Sequence, residues 1–121
     1  MTVTNKFWIL CAGLNGFVAI VMGAVAAHVL TDVQRISMAE KAALYALIHS
    51  VLLAALVSYR GIYYSAARWT FLSGILLFCG SLYIRAVSGW SAATMVAPLG
   101  GLCLMAGWIL MAVAASNTEQ S

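Results

Sequence analysis

The chain has 121 residues, of which 64% are hydrophobic and only 7% are charged. Soluble domains carry about a quarter charged residues, and one of this length could not hide so much apolar surface from water. The six basic residues lie singly at the ends of apolar runs, so the net charge of +3 forms no basic patch and argues against nucleic-acid binding. This composition is typical of a protein whose surroundings are the lipid bilayer.

Four apolar stretches predict four transmembrane helices, at residues 7–30, 42–59, 69–87 and 94–115. Each is long enough to cross about 30 Å of hydrocarbon at roughly 1.5 Å per residue. Because the connections are short, consecutive helices are expected to be antiparallel neighbours. We therefore expect an all-α membrane protein, a single integral membrane domain that forms a four-transmembrane-helix up-down bundle with short loops.

Small residues recur at helix-packing spacing in the first and fourth helices, and such residues let helices approach closely in lipid. Those of the first helix are Gly16, Ala19, Gly23 and Ala27. The fourth helix has Pro98, Gly100 and Gly101 in its first turns, where proline is least costly, and Gly107 one heptad after Gly100. Their partners could lie in the same chain or in a second copy.

An asparagine inside a membrane helix most often joins two helices by a hydrogen bond. Asn15 lies about eight residues into the first helix, and its depth predicts Ser73 of the third helix as the partner. At the second helix, Ser37 and Glu40 have the spacing of a capping box and predict the helix start, with Lys41 at the interface.

One end of the bundle is predicted to gather polar side chains, which are costly in a membrane and suggest function. His49 lies roughly 10 Å into the predicted second helix, with Tyr45 one turn earlier on the same face. The residues expected at this end are His28, Tyr45, His49 and Arg85, with Asp32 and Glu40 in the nearby loop.

Three interpretations of this end remain open. The two histidines, His28 and His49, could ligate one haem or metal ion. A His-Tyr-Arg cluster could relay protons, or hold an anionic headgroup or a quinone. Alternatively, the polar groups bond to one another and to the backbone while Arg85 extends to the surface. The third interpretation is favoured, and we expect no resident metal or cofactor.

Several chemistries have no support in the sequence. No acidic residue falls within a predicted span, which argues against a proton-coupled cation exporter. No catalytic nucleophile with its base is recognisable, so an enzyme is not expected. The cysteines Cys11, Cys79 and Cys103 form no CxxC pair and are interpreted as core residues. Three basic residues flank each side of the membrane, and Arg85 counts least, which weakly favours cytoplasmic termini.

Four segments resemble a known family: residues 23–28 (GAVAAH), 45–49 (YALIH), 74–83 (GILLFCGSLY) and 97–101 (APLGG), followed by Gly107-Trp108. Together they resemble the "domain of unknown function 423" family, the YgdD-like small inner-membrane proteins, over nearly the whole chain. The resemblance implies four spans in a bacterial inner membrane and supplies no reaction.

Family members typically show GAFGAH, FSGSLY and TPIGG-like strings, from which Ala26, Cys79 and Ala97 depart while both histidines match. The resemblance directs attention to His28, Tyr45, His49, Ser81, Tyr83, Pro98, Gly100 and Gly101. It adds Tyr83 to the ligand or proton-relay candidates at the histidine end and Ser81 to the helix-packing residues. The leading hypothesis is a non-enzymatic membrane protein that acts by association, as a homo-oligomer or as an accessory subunit of a complex. The alternative is a small-ligand, quinone, lipid or proton-handling role at the histidine end.

Overall fold

A computed structural model describes residues 2–117 and contains four helices long and apolar enough to cross a membrane. They are α1 (Val3–His28), α2 (Val33–Leu56), α3 (Ile62–Ser88) and α4 (Ser91–Ser116). Inside α3 the segment Ile75–Cys79 is a π-helical turn, and α4 opens with a 3₁₀ segment, Ser91–Val96. The predicted all-α, four-span architecture is confirmed.

The predicted start of α2 is wrong. The helix begins at Val33, because the Asp32 side chain caps it by accepting a hydrogen bond from the Gln34 amide at 3.0 Å. Ser37 and Glu40 therefore lie inside the helix and form no capping box. Glu40 lies within α2, exposed about two turns from the start of the helix. The prediction that no acidic residue falls within a membrane-spanning helix is therefore also wrong.

Glycines with positive φ mark two of the connections. Gly61, with a φ of 121°, immediately precedes α3, which starts seven residues before the predicted residue 69, and α2 ends at Leu56 rather than at the predicted residue 59. Gly89, with a φ of 79°, ends α3 in the left-handed conformation, one residue beyond the predicted end at 87. Pro98 lies in the first turn of the α-helical part of α4.

Each helix packs on the next one along the chain, and α1 and α4 lie at opposite edges. Burial follows this order, because 22% of the most apolar window is buried in each outer helix, against 39% in α2 and 33% in α3. The outer helices thus present most of their surface to lipid. The buried polar side chains described below lie at the contacts between helices.

Two arginines cap helix C-termini, where backbone carbonyls lack partners and the helix dipole is negative. Arg68 donates from Nη1 to the carbonyls of Leu56, at 3.0 Å, and Tyr59, at 3.2 Å, beyond the end of α2. At the opposite end of the molecule, Arg35 donates to the carbonyls of Ala86 and Val87 at the end of α3. Each arginine thus joins α2 to α3 by hydrogen bonds, in addition to placing a basic residue near the membrane boundary.

Candidate functional site

The π-helical turn of α3 faces the glycines of α4. Beside this turn the Ser81 hydroxyl donates to the Phe78 carbonyl at 2.9 Å. A Cβ atom on Gly100 would lie 2.3 Å from the Phe78 backbone nitrogen. Only glycine therefore admits the widened turn at this distance from α4, and the turn sets the position of Phe78.

Two further glycines continue this close approach. A Cβ on Gly74 would lie 2.6 Å from a Leu104 methyl carbon and 3.0 Å from the Gly100 carbonyl oxygen. One on Gly107 would lie 2.6 Å from the Phe71 ring. The α3–α4 contact is thus a glycine seam, defined by Gly74, Gly100 and Gly107.

His49 is buried where α2 faces this seam, 4% exposed and about 24 Å along the helix from Val33 at roughly 1.5 Å per residue. Its Nδ1 lies 2.6 Å from the Tyr45 carbonyl oxygen, and its Nε2 accepts from the Trp108 indole N–H at 3.1 Å. A carbonyl only accepts and an indole N–H only donates, so Nδ1 carries the proton and the imidazole is neutral. Both ring nitrogens are engaged.

This geometry favours the structural interpretation of His49. Protonating Nε2, or ligating a metal or haem iron through it, would require the Trp108 hydrogen bond to break. The ring also packs against Phe71, with centroids 5.3 Å apart. His49 therefore links α2 to α3 and α4 in the state that the structure shows.

A cavity of about 270 Å³ opens beside His49, between α2 and α4 with α3 as its floor. Tyr45 lies at its mouth and packs edge-on against Phe78, with ring centroids 5.5 Å apart. The remaining lining residues are Gly101, Leu104, Met105 and Trp108. The cavity is mostly apolar, and the polar atoms of His49 and Trp108 bond to each other.

The other residues predicted for this end do not join His49. His28 is exposed at the end of α1 and is not among the residues that contact His49 or line its cavity. Tyr83 packs at the α1–α2–α3 junction, with a buried hydroxyl that has no partner within residues 2–117. Arg85 is half-buried, and in that described part neither Asp32 nor Glu40 pairs with it. Only Tyr45 and His49 of the predicted cluster meet.

No group of three or more His, Cys, Asp or Glu side chains within the described residues could hold a metal ion. His28 and His49 themselves face different surroundings, one exposed at a helix end and one buried beside Trp108. The arrangement gives no support to a shared bis-histidine site.

The predicted contact between Asn15 and Ser73 is wrong. Asn15 donates from Nδ2 to the Ser50 hydroxyl at 2.6 Å and to the Ala46 carbonyl at 2.9 Å, both in α2. Ser73 is exposed on α3 and bonds the Trp69 carbonyl of its own helix. Asn15 does join two helices, but they are α1 and α2.

The predicted packing residues of α1 do not share one contact. Ala19 is buried against α2, and a Cβ on Gly16 would lie 3.7 Å from Ser50, an ordinary contact. A Cβ on Gly23 would meet nothing within 4 Å, and Ala27 is exposed. In α4, Gly101 is looser than its neighbour Gly100, since its Cβ would lie 3.9 Å from the Phe78 ring.

Sequence reasoning missed several residues that position this site. Trp108 was noted only in a Gly-Trp string, although its one-heptad distance from Gly101 indicates a shared face of α4. Gly74 lies one heptad from the small residues Ala67 and Ser81, a spacing that could have indicated a packing face of α3, whereas nothing in residues 75–79 marks a π turn. Ser50 follows Ala46 by one turn and so shares its face of α2, but the sequence does not show that this face meets α1.

Comparison with known proteins places these residues in a wider group. The family model "Protein of unknown function (DUF423)" matches residues 22–101. The UPF0382 inner membrane protein YgdD of Escherichia coli K12 is 33% identical, over 97% of this chain and 95% of its own. UPF0382 membrane proteins of Haemophilus influenzae (34% identical; 89% of this chain, 91% of theirs) and Staphylococcus aureus (31%; 90% and 94%) are similar as well. No solved structure matches.

Proposed function

The chain belongs to the DUF423 family, membrane proteins of unknown function, and we propose that it acts without catalysis as a self-associating subunit of the membrane. In this proposal the outer helix α1 docks on α1 of a second copy. The observation that carries it is a strip of small residues around Ile20 on α1, which residues 2–117 leave open except at Gly16, beside Ser50 of α2.

The strip follows heptad spacing along α1, with alternate steps of three and four residues. It consists of Gly13, Gly16, Ile20, Gly23 and Ala27. Gly13 and Ala27 are exposed, and added Cβ atoms on Gly13 and Gly23 would meet nothing within 4 Å. This α1 strip therefore offers glycine notches on either side of the exposed Ile20 side chain.

Lipid chains are as apolar as leucine, so helices associate in a bilayer through close packing rather than through the hydrophobic effect. Glycine in an exposed helix position contributes no side chain to lipid contact, whereas it allows a second helix to approach. Copies of one membrane protein share an orientation, so the α1 strip can meet itself in register about a two-fold axis. The seven-residue spacing suits a left-handed parallel crossing.

The histidine end gives less support to catalysis or proton transfer. The neutral His49 ring is engaged on both nitrogens, and Tyr45 reaches it through a backbone carbonyl rather than through its hydroxyl. No carboxylate of the described chain contacts either residue. The residues around His49 thus favour a structural junction.

Disulfide crosslinking in native membranes tests the proposal. In a background where Cys11, Cys79 and Cys103 are replaced by alanine, Ile20→Cys on the α1 strip is expected to form dimers on mild oxidation. Val21→Cys, the adjacent position and also exposed, is the matched control and is expected to stay monomeric. Equal crosslinking at both positions, or none, would contradict docking through the α1 strip.

A second pair of variants separates association from folding. Gly13→Leu fills a notch in which an added Cβ meets nothing of residues 2–117 within 4 Å, so the monomer should fold normally while the dimer is lost. Ala106→Leu, an equally exposed small position on the other outer helix, should leave the dimer intact. If a different protein crosslinks through Ile20→Cys instead of a second copy, the chain is an accessory subunit and self-association is wrong.

A further inference from the structure

A second cavity, of about 750 Å³, lies at the loop end of α2, and Phe78 lines both it and the His49 cavity. Helices α2 and α4 each pack on α3 and have no extensive contact with each other within the described chain. The larger cavity is lined by α2 and α3 and the His49 cavity by α2, α3 and α4, and the two adjoin at Phe78; together we name them the α2–α4 groove. It starts near the membrane boundary and ends deep in the hydrocarbon at His49.

The groove changes in polarity along its length. Its loop end is lined by Gln34, Ser37 and Lys41, whose side chains have no hydrogen bond or ion pair within residues 2–117. Asp32 also lines this end, and its carboxylate keeps its negative charge while it accepts from the Gln34 amide as the cap of α2. It precedes Lys41 by nine residues, about 14 Å along the helix at roughly 1.5 Å per residue. Lys41 is the one cation among the residues that line the groove, and it has no ion pair within the described residues.

Below Lys41 the groove is apolar. Lys41, Tyr45 and His49 follow one another at four-residue intervals on one face of α2, which spans about 12 Å at roughly 1.5 Å per residue. Met105 and Trp108 form the opposite wall and are 59% and 43% exposed, so the groove is open to lipid along its side. Its deepest polar atoms, on His49 and Trp108, already bond to each other and need nothing from an occupant.

We infer that the α2–α4 groove binds one anionic glycerophospholipid, with a headgroup phosphate at Lys41 and one acyl chain running past Phe78 to His49. The free ammonium, hydroxyl and amide at the loop end match a phosphate ester, and an added ammonium in a zwitterionic headgroup would meet Lys41 unfavourably. This goes beyond self-association, because the groove and the α1 strip lie on different helices and either can fail alone.

The full-length protein, reconstituted in vesicles of equal phosphatidylglycerol and phosphatidylethanolamine with identical acyl chains and then gently extracted, tests this by native mass spectrometry. We expect one phosphatidylglycerol per chain, enriched over phosphatidylethanolamine. Lys41→Ala should lower the phosphatidylglycerol-bound fraction about fivefold, the effect of one interfacial lysine, while the control Lys6→Ala leaves it unchanged.

Filling the apolar part tests the acyl-chain half of the inference. Met105→Trp should remove bound lipid of both headgroups, and because Met105 is exposed the fold should persist, as circular dichroism would show. Gly101→Leu enters the same cavity and serves if Met105→Trp fails to fold. Equal retention of the two headgroups, equal effects of the two lysine variants, or lipid binding undiminished in the filled variant would overturn the inference. So would a neutral isoprenoid lipid or a second chain found on the groove in native membranes.

Discussion

The two outer pairs of helices, α1–α2 and α3–α4, are joined by different means. In α3–α4 the backbones meet at the glycine seam, where a single added Cβ on Gly100 would lie 2.3 Å from a backbone nitrogen. In α1–α2 the link is polar, since Asn15 reaches Ser50 and Ala46, and the glycine beside it, Gly16, has ordinary clearance. One pair depends on the absence of side chains and the other on the presence of one.

This difference shows how a helix pair in lipid tolerates change. A hydrogen bond specifies register but can be replaced by packing, and measured bonds between membrane helices average about 0.6 kcal/mol. A direct contact between two backbones cannot be compensated in this way, because an added carbon can only be accommodated by moving a helix. We therefore expect substitutions in the α3–α4 glycine seam to cost more than any in the α1–α2 contact.

The largest effect is expected for Gly100→Ala. Its Cβ meets the backbone of the π turn, so α4 must move away from α3, and the free energy of unfolding should fall by about 3 kcal/mol. Gly101→Ala, in the same turn with 3.9 Å of clearance, is the matched control and should change it by less than about 1 kcal/mol. Denaturant titration in mixed micelles, followed by circular dichroism, measures both. Equal losses would show that the π turn is not in tight contact with α4.

An intermediate effect is expected for Asn15→Ala, which removes two hydrogen bonds of the α1–α2 contact. The free energy of unfolding should fall by about 1 kcal/mol. Ser73→Ala, a polar serine on α3 that contacts only its own helix, should be neutral. A double-mutant cycle of Asn15→Ala with Ser50→Ala should return a coupling of about 0.6 kcal/mol or more. Zero coupling would mean that the polar link does not hold the pair.

The same contact shows where sequence reasoning ends. Length and apolar composition are sufficient to predict four spans, because any such stretch must cross the bilayer as a helix. The Ser37–Glu40 pattern placed the cap of α2 at Ser37 and the apolar span began at 42, whereas the helix is capped by Asp32 and begins at Val33. Ser73 was predicted as the partner of Asn15 from depth alone, although Ser50 lies at a similar depth on the predicted bounds. Depth does not show which face of a helix meets α1, and the wrong contact follows from that missing rotation.

Other parts of the site have no local signal. The π turn lies directly against Gly100 of α4, a contact between two helices that residues 75–79 alone do not reveal. The residues near His49 were only partly predictable. The proximity of Tyr45 to His49 is predictable, because the two residues are four apart on one helix. The proximity of Trp108 is not, because the sequence does not show which face of α4 turns toward α2. His28 and Arg85 lie near the α1–α2 loop, whereas His49 lies about 24 Å along α2 from Val33, so neither shares its surroundings.

A smaller effect is expected for His49→Phe, which keeps the ring packing against Phe71 and removes the Trp108 hydrogen bond. The loss of unfolding free energy should be about 0.6 kcal/mol, and Trp108→Phe in addition should cost no more hydrogen-bond energy. Additive losses would contradict a direct bond between the two rings. His49 links α2 to α4 through the Trp108 hydrogen bond. The variant therefore tests whether this polar contact helps to hold the α1–α2 pair to the α3–α4 pair.

The smallest effect, with the opposite sign, is expected for Gly16→Ala. Its Cβ would lie 3.7 Å from Ser50, an ordinary van der Waals distance, so the α1–α2 contact gains packing and alanine suits a helix better than glycine. Under monomeric conditions the free energy of unfolding should rise by up to about 0.5 kcal/mol. Gly74→Ala is the counterpart in the glycine seam, where the Cβ would lie 2.6 Å from Leu104, and there the same change should destabilise the protein. A loss at Gly16 as large as at Gly74 would mean that both helix pairs depend on glycine, and that the polar link at Asn15 is secondary.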